Sequence, residues 1–433
     1  MASERKHILV IGGGVIGLSL ALTMQDAGDC DVSLLSTCLP SDPSSSATSS
    51  APPPSPAHYA SAWAGAHHVS SAMNERECRW DRETFDVIKK LAGPAGQGED
   101  AEGPLVWVRQ TELFANPVTT EAERRAQEVL EMYPNHAQSR ELPQPWSAEG
   151  RAPPFDAAHH FDTLDFDVPR YLPALQRQFI AQGGRLLRAP SPVTSIREAV
   201  EICDGDVLGK RRAGWSRVQG VFVATGLGTA ELSEMKEDRA NHFPVRGQTV
   251  LVSAPWLELR GDDDDCSGPS RPRWPALSRT NSCGERDLYL IPRSRGQYIV
   301  GGTRLVGDDD PRPREETTCE ILARALAICP GLVREDKRRA AGGQARGEDV
   351  DILAVNVGFR PGRKGGPVVQ AAGKDMSARA GGQGEDVQVV LAYGFGGYGY
   401  QNSWGAAFEG RDIMREQLGL PVMSHVLERL TSL

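Results

Sequence analysis

The sequence predicts an α/β fold, α+β overall, in which one open α/β domain is interrupted by a β-rich second domain. Three observations predict it. A strand, a glycine motif, a helix and a second strand follow one another at the start; the middle carries antiparallel strand patterns; and a glycine-rich segment before a helix closes the chain.

Residues 7–12, HILVIG, form a short apolar run of β character. Gly12-Gly13-Gly14-Val15-Ile16-Gly17 follows, then an amphipathic helix to Ala27 and a second strand at 31–35. This is the order and length that the Gly-x-Gly-x-x-Gly motif of a Rossmann-like domain requires. Gly12 makes the tight turn, Gly14 admits a pyrophosphate to the backbone, and Gly17 lets the helix pack on the strand. Residues 7–24 are nearly uncharged, yet three consecutive glycines break them and a β-type half precedes a helical half. That pattern argues against a membrane anchor or signal peptide.

Helices are expected at 80–91 and 168–182, and strands at 189–196 and 217–225, the last running into the turn Thr225-Gly226-Leu227-Gly228. Residues 245–252, and 288–293 with 297–303 about the turn Ser294-Arg295-Gly296, carry antiparallel β patterns. Segments 40–57, 93–103, 142–154, 261–272 and 371–386 read as loops or insertions.

The closing segment, 391–410, reads LAYGFGGYGYQNSWGAAFEG. Its glycines let the backbone touch a flat ligand without a Cβ in the way. Ser403 is expected to cap a helix at 404–418 and Gly419 to stop it. Such a helix would direct free N–H groups and partial positive charge at an electron-rich cofactor ring.

Composition excludes several classes. A net charge of −9 argues against nucleic acid or an anionic membrane as a partner. Eight scattered cysteines without Cys-x-x-Cys indicate neither a zinc site nor a disulfide framework, and fit a reducing intracellular compartment. No metal site is expected. Gly205–Arg211 resembles a phosphate-binding loop but is one residue short and lacks the Ser/Thr for magnesium. The adjacent pairs His67-His68 and His159-His160 point apart on regular elements and chelate poorly; the basic residues at 210–212 and 336–339 read as solvated faces.

With these pieces placed, the chain resembles the D-amino acid oxidases, the FAD-dependent family that includes D-aspartate oxidase, in their fungal form. Six blocks carry the resemblance in order: HILVIGGGVIGLSLAL at 7–22, SAWAGAHH at 61–68, VATGLG at 223–228, FPVRGQTVLV at 243–252, YLIPRSRGQYIVGGTR at 289–304 and GFRPGRKGG at 358–366, with the closing segment as a seventh element. The resemblance implies a Rossmann-like FAD-binding domain in three parts, 1–80, 185–242 and 346–433, interrupted by a β-rich substrate-binding domain in two, 81–184 and 243–345. It implies Gly12, Gly14, Val15, Ile16 and Gly17 at the FAD pyrophosphate. It places Ala64, Gly65 and Ala66 at the flavin N5 edge, Val193 at the adenine, and Gly397, Gly399, Tyr400 and Gln401 at the flavin pyrimidine end. Arg360 matches the arginine that holds the substrate α-carboxylate, Tyr289 the tyrosine that assists it, and Gly397 lies beside them. Arg304 stands where an arginine accompanies recognition of a side-chain carboxylate in D-aspartate oxidases.

The implied reaction is oxidative deamination of a D-amino acid, with hydride transfer from its α-carbon to the flavin and O₂ as oxidant. It yields a 2-oxo acid, ammonia and hydrogen peroxide. An arginine fork suits this task because it grips a carboxylate bidentately and never deprotonates. Alternatives are a D-aspartate oxidase and a glycine- or sarcosine-type amine oxidase, the latter opposed by the GFRP block; a flavoprotein without turnover is a third. Residues 35–37, Leu-Ser-Thr, lack the acid or arginine expected at the ribose, and the family's second active-site tyrosine has no clear counterpart near Glu285 or Trp274. The chain ends Thr431-Ser432-Leu433, a departure from the Ser-Lys-Leu peroxisomal form, so a peroxisomal address or otherwise a cytoplasmic one is expected. A homodimer is one expected assembly.

Overall fold

The computed structural model describes residues 5–40, 56–72, 74–93, 103–114, 121–142, 145–146, 155, 157–205, 214–258, 274–280, 286–381, 387–430 and 432–433. The expected loops at 40–57, 93–103, 142–154 and 261–272 lie largely or wholly outside them, as do Glu285 and most of the phosphate-loop look-alike.

The first sheet runs Val368–Ala371, Gln388–Tyr393, Val218–Val223, Lys6–Ile11, Cys30–Ser36, Arg185–Arg188 across its width, parallel except at the first pair. Its strands are buried on both faces, which is why 7–12 reads as an unbroken apolar run. Ile8 and Val10 join the core beneath helix Val15–Asp26, whereas Leu9 and Ile11 join a second cluster with Ile196, Ala199 and Val200 of helix Ile196–Asp204. Helices Glu75–Ala92, Val168–Ala181 and Ser403–Gln417 pack with Val15–Asp26 on the first face.

The second sheet has nine strands among the described residues. Its spine is His242–Ser253, flanked on one edge by Gln297–Thr303 and on the other by Ile352–Arg363, both antiparallel. Arg286–Arg293, Trp274–Thr280, Leu105–Phe114 and Ala157–Phe166 extend it in turn. Helix Glu315–Ile328 covers one face through Ile321, Leu322 and Ala325.

Most expected elements form within a residue or two, including the hairpin at 288–303, whose turn holds Arg295 at φ 64° and Gly296 at φ 67°. Four differ. Residues 189–196 are not a strand: Pro190 and Pro192 cannot donate to a ladder, so the strand ends at Arg188, and the Ser195 side chain caps the following helix by accepting from Glu198 N–H. Residues 374–380, expected in a loop, form a short helix. The division expected at 346 is displaced, because Ile352–Arg363 belongs to the second sheet and the chain re-enters the first only at Val368. Segment 81–184 likewise contributes strands to the second sheet but begins and ends in helices packed on the first layer.

Candidate active site

One cavity of about 850 Å³ lies between the carboxyl ends of the first sheet's parallel strands and a face of the second sheet. That is the upper part of the usual range for ligand sites, roughly 300–1,000 Å³, and strand carboxyl ends are where open α/β sheets bind ligands.

Its first end is made of backbone. Gly12 N–H donates to Leu35 O at 2.9 Å, and Gly12 has φ +120°. A Cβ there would stand 2.3 Å from Ala224 O, so only glycine fits the turn. Gly14 precedes helix Val15–Asp26, whose Val15 N–H donates to Ser61 Oγ at 3.1 Å, while Tyr59 donates to Gly13 O at 2.9 Å. Gly12, Gly14, Val15 and Ile16 line the cavity, as does Val193. Gly17 does not: a Cβ on it would meet Gly12 O at 1.9 Å, so its task is to seat the helix on the turn. Ser36, Thr37 and Cys38 line the wall after the second strand, where no acid is present; Ser36 Oγ donates to Cys38 O at 2.9 Å.

The next stretch of wall is Ala64, Gly65 and Ala66. Arg293, buried, donates through Nη1 to Phe166 O and through Nη2 to Ala64 O at 2.7 Å, and Phe166 N–H donates to Ala66 O at 2.9 Å. The guanidinium therefore ties this segment to the second sheet. Sequence reading missed Arg293; its signal was a cation ending an apolar strand.

Gly397, Gly399, Tyr400 and Gln401 line the opposite wall. Tyr400 donates to Ser61 O at 2.7 Å, joining the two walls. The capping expectation fails here. The helix spans Ser403–Gln417 with Asn402 at its N-cap and no side-chain cap bond, and Ser403 Oγ instead donates to Tyr400 O at 2.8 Å. Trp404 and Gly405 N–H donate to Thr84 Oγ1 at 3.1 and 3.0 Å, so these first helical donors are satisfied from the neighbouring helix rather than offered to a ligand. What the helix presents to the cavity is its dipole and the loop before it. Beneath that loop Asp81 accepts from Ser70 Oγ and Asn402 Nδ2, and burial pushes its carboxyl up to about 8.

The second end is made of side chains from strands far apart in sequence. Arg360 lies over Gly247, where a Cβ would stand 2.6 Å from Nη1, and it donates to Thr303 O at 2.9 Å. The Tyr289 ring lies over Gly301 and Gly302, whose missing side chains make room for it. Burial raises its phenol above the usual range and the Arg360 charge offsets part of this. Arg304 lines the same end and is 48% exposed. Asp287, buried and cavity-lining, was missed: its Oδ2 lies 3.4 Å from both Arg304 Nε and Nη2 and 3.9 Å from Arg360 Nη2. The available signal was its place two residues before Tyr289, the spacing of one strand face. His67 also lines the cavity; burial pushes it down to about 4, leaving it a neutral wall residue. His68 is buried against Tyr133, and Trp274, placed in no register by sequence, sits in a strand beside Val108.

The glycine cradle, the size of the cavity and its Tyr-Arg end fit an FAD held along Gly12–Ile16, Ala64–Ala66 and Gly397–Gln401. Comparison with known proteins bears on the family and its cofactor. The chain is 30% identical to a D-aspartate oxidase of Cryptococcus neoformans var. grubii, over 93% of this chain and 95% of the relative. It is 28% identical to a D-amino-acid oxidase of Schizosaccharomyces pombe, over 94% and 97%. Among solved structures its fold is similar to L-proline dehydrogenase from P. horikoshii, with TM-score 0.61, 16% identity and 96% and 95% coverage. Glycine oxidase from Geobacillus kaustophilus gives 0.58, 17%, and 98% and 100%. Residues 7–409 match the family described as FAD dependent oxidoreductase, and the chain belongs to that family, with FAD as its cofactor.

Proposed function

We propose that the protein is a D-amino acid oxidase, converting a D-amino acid, O₂ and water to a 2-oxo acid, ammonia and hydrogen peroxide. The observation that carries this reading is the convergence of Arg360 and Tyr289 on the cavity lined by Gly12–Ile16 and Gly397–Gln401. Bound FAD supplies the acceptor that takes a hydride from the α-carbon and passes electrons to O₂. Arg360 holds the α-carboxylate as a charge-assisted fork, and Tyr289 adds a neutral donor from a ring that burial has already ordered. Two fixed donors on one carboxylate orient the α-carbon, which is the positioning such a transfer needs. His67, held neutral, walls the site without carrying a proton.

A second reading, preference for acidic D-amino acids, draws support from Arg304 lining the same end and from the D-aspartate oxidase relatives. Peroxide release tests the function: D-alanine, D-asparagine and D-aspartate should release it and their L-enantiomers should not. Equal release from L- and D-forms would refute it.

A further inference from the structure

The loop after strand Gln388–Tyr393 carries a tyrosine that belongs neither to the cofactor wall nor to the carboxylate anchor. Tyr398 stands between Gly397 and Gly399 and lines the cavity. Its backbone is fixed on both sides: Tyr398 N–H donates to Phe395 O at 2.9 Å, and Tyr398 O accepts from Asn402 N–H at 3.0 Å. The adjacent Gly397 sits against Arg360, where a Cβ would lie 3.4 Å from Cδ. Tyr398 therefore leaves the chain right beside the residue that takes the α-carboxylate. It is 36% exposed and the Arg304 side chain 48%, so both stand at the rim where this end of the cavity opens.

The two rim side chains meet. Arg304, which follows strand Gln297–Thr303, donates to the Tyr398 phenol oxygen as well as lying 3.4 Å from Asp287 Oδ2 through Nε and Nη2. One partner comes from the second sheet and the other from the flavin-side loop, so the planar guanidinium is held across the opening. A phenol that accepts a hydrogen bond keeps its own O–H to donate, and this one has no acceptor among the described residues. A substrate anchored at Arg360 extends its side chain past this pair toward the opening. A distal carboxylate there accepts from the Tyr398 O–H and from the Arg304 fork, both already ordered by their mutual bond. A methyl group at the same place accepts from neither.

We propose that Tyr398 is a specificity-determining residue: its phenol donates to the distal carboxylate of an acidic D-amino acid while accepting from Arg304, so that the two side chains read that carboxylate together. The proposal rests on the reading of Arg360 as the α-carboxylate anchor and of Arg304 as facing the substrate side chain, and it adds to them the flavin-side half of the specificity site.

The test compares kcat/KM for D-aspartate and D-alanine in the FAD-loaded wild type, Tyr398→Phe, Arg304→Met and the double variant, with FAD content and visible spectrum matched. Tyr398→Phe keeps the ring and removes only the hydroxyl. It should lower the D-aspartate to D-alanine ratio about tenfold, equivalent to about 1.4 kcal/mol, chiefly through KM. Arg304→Met should lower the ratio further. Because the two side chains bond each other, the double variant should lose less than the product of the single losses. Flavin difference spectra read the same pair without turnover: succinate should bind the wild type more tightly than propionate, and Tyr398→Phe should shrink that preference by the same factor. A wild type that binds succinate no better than propionate overturns the proposal, as does a Tyr398→Phe variant whose two ratios are unmoved, while D-alanine turnover leaves the oxidase reading standing. Failure of every D-amino acid to reduce the flavin overturns both.

Discussion

The two ends of the cavity are built on different principles. At the Gly12 end the contacts come from backbone: two turns, a helix start and a loop, each encoded within a few consecutive residues. At the Arg360 end they come from side chains at 287–289, 304 and 360, brought together by antiparallel register across four strands. The first end tolerates no Cβ at its Gly12 turn; the second depends on glycines at 247, 301 and 302 only to clear space for larger neighbours. Cofactor binding should therefore break through backbone changes and substrate handling through side-chain changes, with little crossover between them.

The largest effect follows from Gly12→Ala. Its φ of +120° and the 2.3 Å approach to Ala224 O leave no room for a methyl group. The variant should purify without FAD, and retention of stoichiometric yellow cofactor would show that this turn is not decisive. Arg360→Ala should do the opposite, keeping FAD while kcat/KM falls about 10²- to 10⁴-fold, the loss expected for two charge-assisted hydrogen bonds at about 1.5–3 kcal/mol each. Steady-state peroxide assays with matched FAD content check it. Tyr289→Phe removes one neutral donor and should cost roughly tenfold, mainly in KM, at about 1–1.5 kcal/mol.

The smallest effect concerns Asp81, which accepts from Asn402 beneath the 397–401 loop. Its folded carboxyl titrates at about 8, above the usual 3.9 of an unfolded aspartate, chiefly because of burial. The folded state then holds a proton that the unfolded state releases, so stability is greatest below pH 4 for this group and declines between pH 4 and 8. Asp81→Asn should flatten that decline, raising Tm relative to wild type by a few degrees at pH 8 and less at pH 5. Thermal melts at the two pH values check it, and parallel profiles would mean that Asp81 is not the titrating group.

The same contrast explains what could be read from sequence. The Gly12 turn, the 391–410 segment and the 288–303 hairpin were legible because their geometry is local. The helix cap was not, since Thr84, 320 residues from Trp404, supplies the acceptor that Ser403 was expected to provide. Arg360, Tyr289 and Arg304 were placed by resemblance to a family, whereas Asp287 and Arg293 had no motif to announce them. Both act through partners more than 15 residues away: Arg304 for the first, Ala64 and Phe166 for the second. Prolines at 190 and 192 were a local signal against the expected strand, outweighed by the apolar residues around them.

The most direct measurement of the account is anaerobic mixing of the purified FAD-loaded protein with D-alanine and, separately, L-alanine. The wild type should lose its visible flavin absorbance with D-alanine and keep it with L-alanine, while Arg360→Ala bleaches at least a hundredfold more slowly at the same concentration. Bleaching by L-alanine at an equal rate, or an Arg360→Ala variant as fast as wild type, would contradict the assignment of that end of the cavity to a D-amino acid carboxylate.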